Sequence, residues 1–269
     1  MTIEMDFLRD QALQARNLEI LVRNDGFKFT NSFFAYTSGK IGPYYVNSEA
    51  VMKDGRTYAE AIDSVSKYAL RLMGDFIISG GETRDWIFSN PVAVKQGNAH
   101  VSLYKDGKML GADVKERNVI HIADLNNEGS SPRDFWIPMI RKAGGVINDI
   151  VFYVDRMEEG AKVMKDLGLK SIAVVQLDEF AWEYLRRRDI INSETYANLI
   201  ERMNNKEKWA EDMLISNIGI ENLSRLFSGA KKSRERAFKI LDTGYPTIKE
   251  EILDRLKSKG LKIKNESHL

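Results

Sequence analysis

Five short apolar runs dominate the middle of the chain: "DFIISG" (75–80), "HVSLY" (100–104), "NVIHIAD" (118–124), "VINDIVFYVD" (146–155) and "SIAVVQL" (171–177). Most of them are apolar almost without alternation, so each has to be covered on both faces, as strands of a mainly parallel sheet are. Helical patterns or loops lie between them. Ahead of the first, "TYAEAIDSVSKYALRLM" places Tyr58, Ile62, Val65, Ala69 and Leu72 on one helical face that would pack on the sheet, and a further helix is expected over 5–22. The expected fold class is α/β, a mainly parallel sheet flanked by helices. In such sheets ligands bind beyond the carboxyl ends of the strands, so the residues after each run are the candidates for function.

The strand signal ends near Phe180. "FAWEYLRRRDIINSETYANLIERMNNKEKWAEDMLI" and "SGAKKSRERAFKIL" suggest four or five helices, with Pro246 ahead of a last one. The chain is therefore expected to divide into a sheet domain over 1–178 and an all-helical extension over 179–269. With 43% apolar residues among 269, a sizeable core is available. Forty basic residues against thirty-nine acidic leave a net charge of +1, so nothing global recruits nucleic acid or an anionic membrane and any anion site must be local. The absence of cysteine excludes disulfides, thiolate nucleophiles and Cys-based zinc sites, and three scattered His argue against a metal held by protein ligands alone. "MTIEMDFLRD" lacks the basic-then-apolar pattern of a secretory signal, and no apolar segment approaches ~20 residues. The expected setting is the cytoplasm, with no membrane and no nucleic-acid partner.

Four strand ends carry chemistry. In "SGGETRDW" (79–86), Gly80 and Gly81 would let the backbone approach a ligand, and Thr83 could cap a helix whose amides face an anion. "YKDGK" (104–108) puts Lys105 and Lys108 on a Gly-containing turn, suited to a polyphosphate or equally to a hairpin with solvated lysines. In "NVIHIADLNNEGSS" (118–131), Asp124 follows the strand and Asn127, Glu128, Gly129, Ser130 and Ser131 form the turn. Ser131-Pro132 reads as an N-cap with Pro at the first helical position. A carboxylate that accepts from sugar hydroxyls beside an amide-lined phosphate cradle specifies a sugar phosphate. At "YVDRMEEG" (153–160), Arg156 offers a fork for a carboxylate, or closes a local ion pair with Asp155.

Together these features resemble the type I phosphoribosyltransferases, and within them the orotate phosphoribosyltransferases. "TSGKIGPYYVN" (37–47) is similar to the family's Ser-Gly-Lys/Arg-x-x-Pro-Tyr-Tyr/Phe-x-Asn motif, and the resemblance runs in the family's order from about residue 25 to 178. It implies an N-terminal hood over about 25–55 and transfer of a phosphoribosyl group from phosphoribosyl pyrophosphate to orotate, with Mg²⁺ and a homodimer. It further implies that Lys105 and Lys108 neutralise pyrophosphate, Asp124 holds the ribose hydroxyls, and Asn127, Gly129, Ser130 and Ser131 cradle the 5′-phosphate. Gly80, Gly81, Glu82 and Thr83 would line the pyrophosphate and its Mg²⁺, while Lys40, Tyr44, Tyr45 and Arg156 would hold orotate. The metal would arrive on the substrate, with Asp124 as the carboxylate beside it.

The chain also departs from that pattern. Ala123 stands where the family has a first acid, Glu128 where it has a small residue, Thr37 where it has a Lys and Tyr104 where it has an Arg, and "MLGADVKER" lacks the loop His. Two readings follow: an orotate phosphoribosyltransferase, or a homologue with weak or no catalysis that serves another base or binds a nucleotide.

Overall fold

The computed structural model describes residues 10–72 and 74–261. Residues 5–9 of the expected first helix lie outside the described residues. The rest of that helix is α1 (Gln11–Arg23), opened by Asp10, whose side chain accepts from the Leu13 amide. By their contacts the residues fall into two compact units, 1–26 with 47–185 and 27–46 with 186–269, so the units do not follow chain order.

The first unit is a three-layer α/β domain. Its sheet has six strands: β3 (Ile77–Gly81), β4 (His100–Leu103), β5 (Met109–Gly111), β6 (Asn118–Asn126), β7 (Val146–Asp155) and β8 (Lys170–Gln176). They lie in the order β5-β4-β3-β6-β7-β8, parallel except for the edge pair β4 and β5. The near-continuous apolar strands are buried on both faces, as expected. Ile150 and Phe152 of β7 join an apolar cluster with Trp136, Ile137, Ile140 and Met164, residues of the Pro132–Trp136 segment, α4 (Ile137–Lys142) and α5 (Glu159–Asp166). Tyr153, one step on, points the other way and stacks on Phe88 of α3 (Trp86–Gln96) at 4.5 Å between centroids. On that second face α1, α2 (Gly55–Ala69) and α3 cover the sheet. The Gln14 amide reaches the Gln176 carbonyl at 2.7 Å and ties α1 to the last strand.

From β3 the chain moves to β4 on one side, then returns to β6 on the other, so the strand order reverses between β3 and β6. A crevice at the carboxyl ends of those two strands is the usual ligand position in such a sheet.

The second unit joins an antiparallel hairpin, β1 (Phe27–Ala35) and β2 (Ile41–Val46), to the helices of the C-terminal third. Those helices are α7 (Ser193–Asn204), α8 (Lys206–Ile215), α9 (Asn217–Ser228), α10 (Lys231–Lys239) and α11 (Lys249–Ser258), while α6 (Glu179–Arg187) mostly belongs to the first unit. Phe33 and Ile41 of the hairpin share one apolar core with Trp209, Leu214, Leu223, Ile240, Ile252 and Leu256. Among the described residues no helix is long and apolar enough to cross a membrane.

Candidate active site

Asp124 and the loop after it occupy the end of β6. Only 9% of Asp124 is exposed, and its Oδ2 accepts from the Ser48 hydroxyl at 2.7 Å. Burial, and next the adjacent Asp85 carboxylate, push the Asp124 carboxyl up to about 7, against the pull of Ser48. It is thus poised to lose a proton near neutral pH, and then to accept hydrogen bonds from hydroxyls of a ligand. Ala123, one residue earlier, faces the opposite way into the apolar cluster that contains Trp136. A carboxylate there would sit among hydrocarbon, which accounts for the missing first acid.

The following turn places Asn127, Glu128, Gly129, Ser130 and Ser131 in one short arc. Gly129 has φ +66° and backs on Val163 and Met164, where a Cβ would come within 3.0 Å of the latter side chains. The expected N-cap is corrected by two residues, from Ser131 to Gly129. Ser131 has helical dihedrals (φ −63°, ψ −47°) and makes no side-chain cap, and the first helical bond runs from the Arg133 amide to the Gly129 carbonyl at 3.1 Å. The left-handed glycine starts the helix, so both serines lie in its first turn, where amides have no helical partner. The Asn127 side-chain oxygen is buried without a hydrogen-bond partner, and its carbonyl takes the Gly160 amide at 2.9 Å.

At the end of β3, Gly80 and Gly81 are buried and their lack of side chains serves packing. A Cβ on Gly80 would fall 2.1 Å from the Ser89 hydroxyl, and one on Gly81 would fall 2.2 Å from the Trp136 ring. The peptide between Glu82 and Thr83 is cis. Thr83 is exposed and does not cap a helix; α3 begins at Trp86, after Asp85, because the chain first turns through 82–85. Glu82 accepts the Lys105 amide at 2.9 Å and so fastens this turn to the next. Lys105 and Lys108 sit exposed on the β4–β5 hairpin turn, with Nζ atoms 5.8 Å from the Phe135 ring centre and 5.3 Å from that of Tyr104. The hairpin and the solvated lysines are both present.

The remaining candidates are already engaged. Arg156 is buried at the end of β7, its guanidinium 3.2 Å from Glu158 and its amide on the Asn126 carbonyl. In the hairpin unit, Lys40 Nζ contacts Glu207 at 3.1 Å and the Gly244 carbonyl at 3.1 Å, over the Tyr245 ring. Tyr44 is buried, with its carbonyl accepting from the Tyr36 hydroxyl, while Tyr45 is 41% exposed. Three residues of the first unit escape a sequence reading: Ser48, Asp85 and Arg84, whose positive charge pulls Asp124 downward. Asp85 and Arg84 stand inside the "SGGETRDW" stretch, but nothing in one sequence says that a helix-start Asp turns back to the strands.

No family model matches the chain. It is 28% identical to an orotate phosphoribosyltransferase of Staphylothermus marinus over 194 residues, covering 70% of this chain and 93% of that one. A second, from Sulfolobus acidocaldarius, is 26% identical over 192 residues, or 69% and 90% of the two chains. An adenine phosphoribosyltransferase of Acetivibrio thermocellus is 28% identical over 156 residues, 49% of this chain and 90% of that one. Among solved structures, the UMP synthase of Leishmania donovani superposes with TM-score 0.64 at 21% identity over 72% of this chain, which spans only 43% of that longer chain. The orotate phosphoribosyltransferase of Francisella tularensis superposes with TM-score 0.58 at 18% identity, covering 70% of this chain and 96% of its own. The fold is that of the phosphoribosyltransferases.

Proposed function

We propose that the protein transfers the phosphoribosyl group of phosphoribosyl pyrophosphate to a ring nitrogen of orotate, giving orotidine 5′-monophosphate and pyrophosphate in pyrimidine synthesis. The observation that carries this is the pairing, at the switch point of the sheet, of the buried Asp124 carboxylate with the Asn127–Ser131 turn that opens a helix. An acid for ribose hydroxyls and amides for a phosphate sit one loop apart. The orotate phosphoribosyltransferases named above, over most of their length, support the choice of base.

In the reaction the bond from C1′ to pyrophosphate breaks and a bond from C1′ to the base nitrogen forms. The ribose passes through an oxocarbenium-like state, so the protein acts by positioning and by charge stabilisation. Asp124 would hold the ribose hydroxyls, and Asn127, Gly129, Ser130 and Ser131 the 5′-phosphate. Gly80, Gly81, Glu82 and Thr83 would border the pyrophosphate, whose departing charge Lys105 and Lys108 would neutralise from an exposed hairpin. Among the described residues no three His, Asp or Glu form a metal cage, while Asp124 offers one carboxylate beside the ribose, which suits an Mg²⁺ ion that comes with the substrate. Bound there, Mg²⁺ would supply positive charge to the leaving pyrophosphate. Arg156 is the proposed orotate contact in the first unit, exchanging Glu158 for the ligand, and Lys40, Tyr44 and Tyr45 in the hairpin unit keep the orotate role that the resemblance implies. A cytoplasmic homodimer is the proposed working form.

A second reading is favoured by Arg156, whose guanidinium is buried against Glu158 and thus neutralised. In that reading the fold serves another base or binds phosphoribosyl pyrophosphate without turnover. Loss of orotate absorbance with Mg²⁺ and phosphoribosyl pyrophosphate, repeated with uracil and with purine bases, separates the two. No turnover with any base, together with no heat of binding for phosphoribosyl pyrophosphate, would sink the phosphoribosyltransferase reading.

A further inference from the structure

The Asp85 side chain bonds both strand ends bordering the candidate site. Its carboxylate is 7% exposed; Oδ2 accepts the Gly81 amide at 3.0 Å, and Oδ1 accepts the Asp124 amide at 3.0 Å. The two amides belong to different strands. The register between β3 and β6 runs from Ile77 opposite Val119 to Ser79 opposite His121 and goes no further. Beyond that pair the two strands are no longer paired. Asp85 spans the parting with two hydrogen bonds, one oxygen to each strand.

Only a carboxylate suits this post. Two acceptor oxygens meet two N–H groups, whereas an amide of the same shape would set its own NH2 against one of them. His121 approaches the same carboxylate, with Nε2 3.4 Å from Oδ2, but makes no hydrogen bond through that atom. Position 123 holds alanine, so the second carboxylate near Asp124 arrives from the start of α3 and is committed to backbone amides.

We infer that Asp85 is a positioning residue, which holds the Asp124 carboxylate and the Gly80–Thr83 turn at the separation that the ribose hydroxyls and the pyrophosphate of one substrate molecule require. The inference rests on the proposed function. A displacement of about 1 Å between such groups is enough to cost catalysis on the order of a hundredfold, and loss of an outer-shell partner typically costs tenfold to a hundredfold in affinity.

The test compares wild type with Asp85→Asn in two measurements. Calorimetry is expected to show phosphoribosyl pyrophosphate bound at least tenfold more weakly by the variant, with its KM raised and the KM for orotate changed far less. Site-resolved hydrogen exchange of the free proteins is expected to show Gly81 and Asp124 amides exchanging faster while β7 and β8 keep their protection. Equal affinity in the two proteins overturns the inference, as does a uniform loss of protection, which would mark a folding residue. Wild-type protein that binds no phosphoribosyl pyrophosphate overturns the proposed function instead, and the ligand assigned here falls with it.

Discussion

The Ser48 hydroxyl donates to Asp124 Oδ2 at 2.7 Å, and it is the foremost influence opposing the burial and the Asp85 charge that together raise this carboxyl from an ordinary 3.8 to about 7. The folded chain therefore keeps a proton on Asp124 that the unfolded chain has lost above about pH 4. The stability tied to that proton is complete below the unfolded value and disappears as pH rises through about 7. Asp124→Asn cannot ionise, so its stability relative to wild type should rise from pH 5 by roughly 1.4 kcal/mol for each pH unit up to about 7 and be level by pH 8. Urea unfolding at the two pH values measures this. A difference between the proteins that does not change with pH would show that Asp124 is ionised throughout.

Tyr58 repairs a break in the helix beside the site. Pro91 lies inside α3 and has no N–H to give to the Ile87 carbonyl, and the Tyr58 hydroxyl of α2 donates to that carbonyl at 2.5 Å. Tyr58→Phe leaves the acceptor unsatisfied and should cost about 1–3 kcal/mol in chemical denaturation. Adding Pro91→Ala restores a helical donor, so the double variant should recover part of the loss. Equal stability of wild type and Tyr58→Phe would show that water already serves the carbonyl.

The strands were readable because burial on both faces leaves runs with little polar alternation, and 146–155 coincides with β7 residue for residue. β5 was not, since Met109, Leu110 and Gly111 form a three-residue edge strand, half-buried at Met109 and exposed after it, with no pattern to find. The tail holds more helices than the expected four or five because two of its breaks are single residues. Asn205 ends α7 and caps α8 by accepting from the Lys208 amide, and Ser216 does the same between α8 and α9 through Gly219. No Pro or Gly marks those joints, so the pattern reads as continuous helix. The site was legible where a loop announces itself, at Asp124 to Ser131. It was not legible at Ser48 and Asp85, which reach Asp124 across 76 and 39 positions of sequence. Their roles depend on how strands come together, and a single sequence does not display that.

Lys105 and Lys108 provide a test that separates chemistry from folding. Both are exposed; their backbone amides bond Glu82 and Asp106, while their ammonium groups lie over the rings of Phe135 and Tyr104, so truncating the side chains leaves the backbone bonds in place. Replacing both with Ala should change unfolding free energy by no more than about 0.5 kcal/mol. Turnover should fall at least tenfold, because two positive charges aimed at a departing pyrophosphate are lost. Repeating the assay at higher salt checks the electrostatic origin: the wild-type rate should fall toward that of the variant. Full activity in the double variant would leave the hairpin lysines as surface charge.

Glu128 is the residue of the phosphate turn whose charge opposes its proposed ligand. It is half-buried, and it lies near enough to Arg133 to favour that guanidinium's charge, after the larger contribution of Asp134. A cradle made of backbone amides needs no side chain at this position, so the carboxylate can face Arg133 and leave the amides to the phosphate. Even so, a unit charge about 4 Å from a phosphate costs roughly 1 kcal/mol per phosphate charge in water. Glu128→Ala should therefore bind phosphoribosyl pyrophosphate up to about fivefold more tightly, a gain of roughly 1 kcal/mol, with turnover unchanged or raised. Calorimetry on the variant, alongside the orotate assay, decides it. A tenfold loss of affinity would mean that Glu128 turns inward and holds part of the substrate or its metal, and the phosphate turn would then have to be redrawn around that carboxylate.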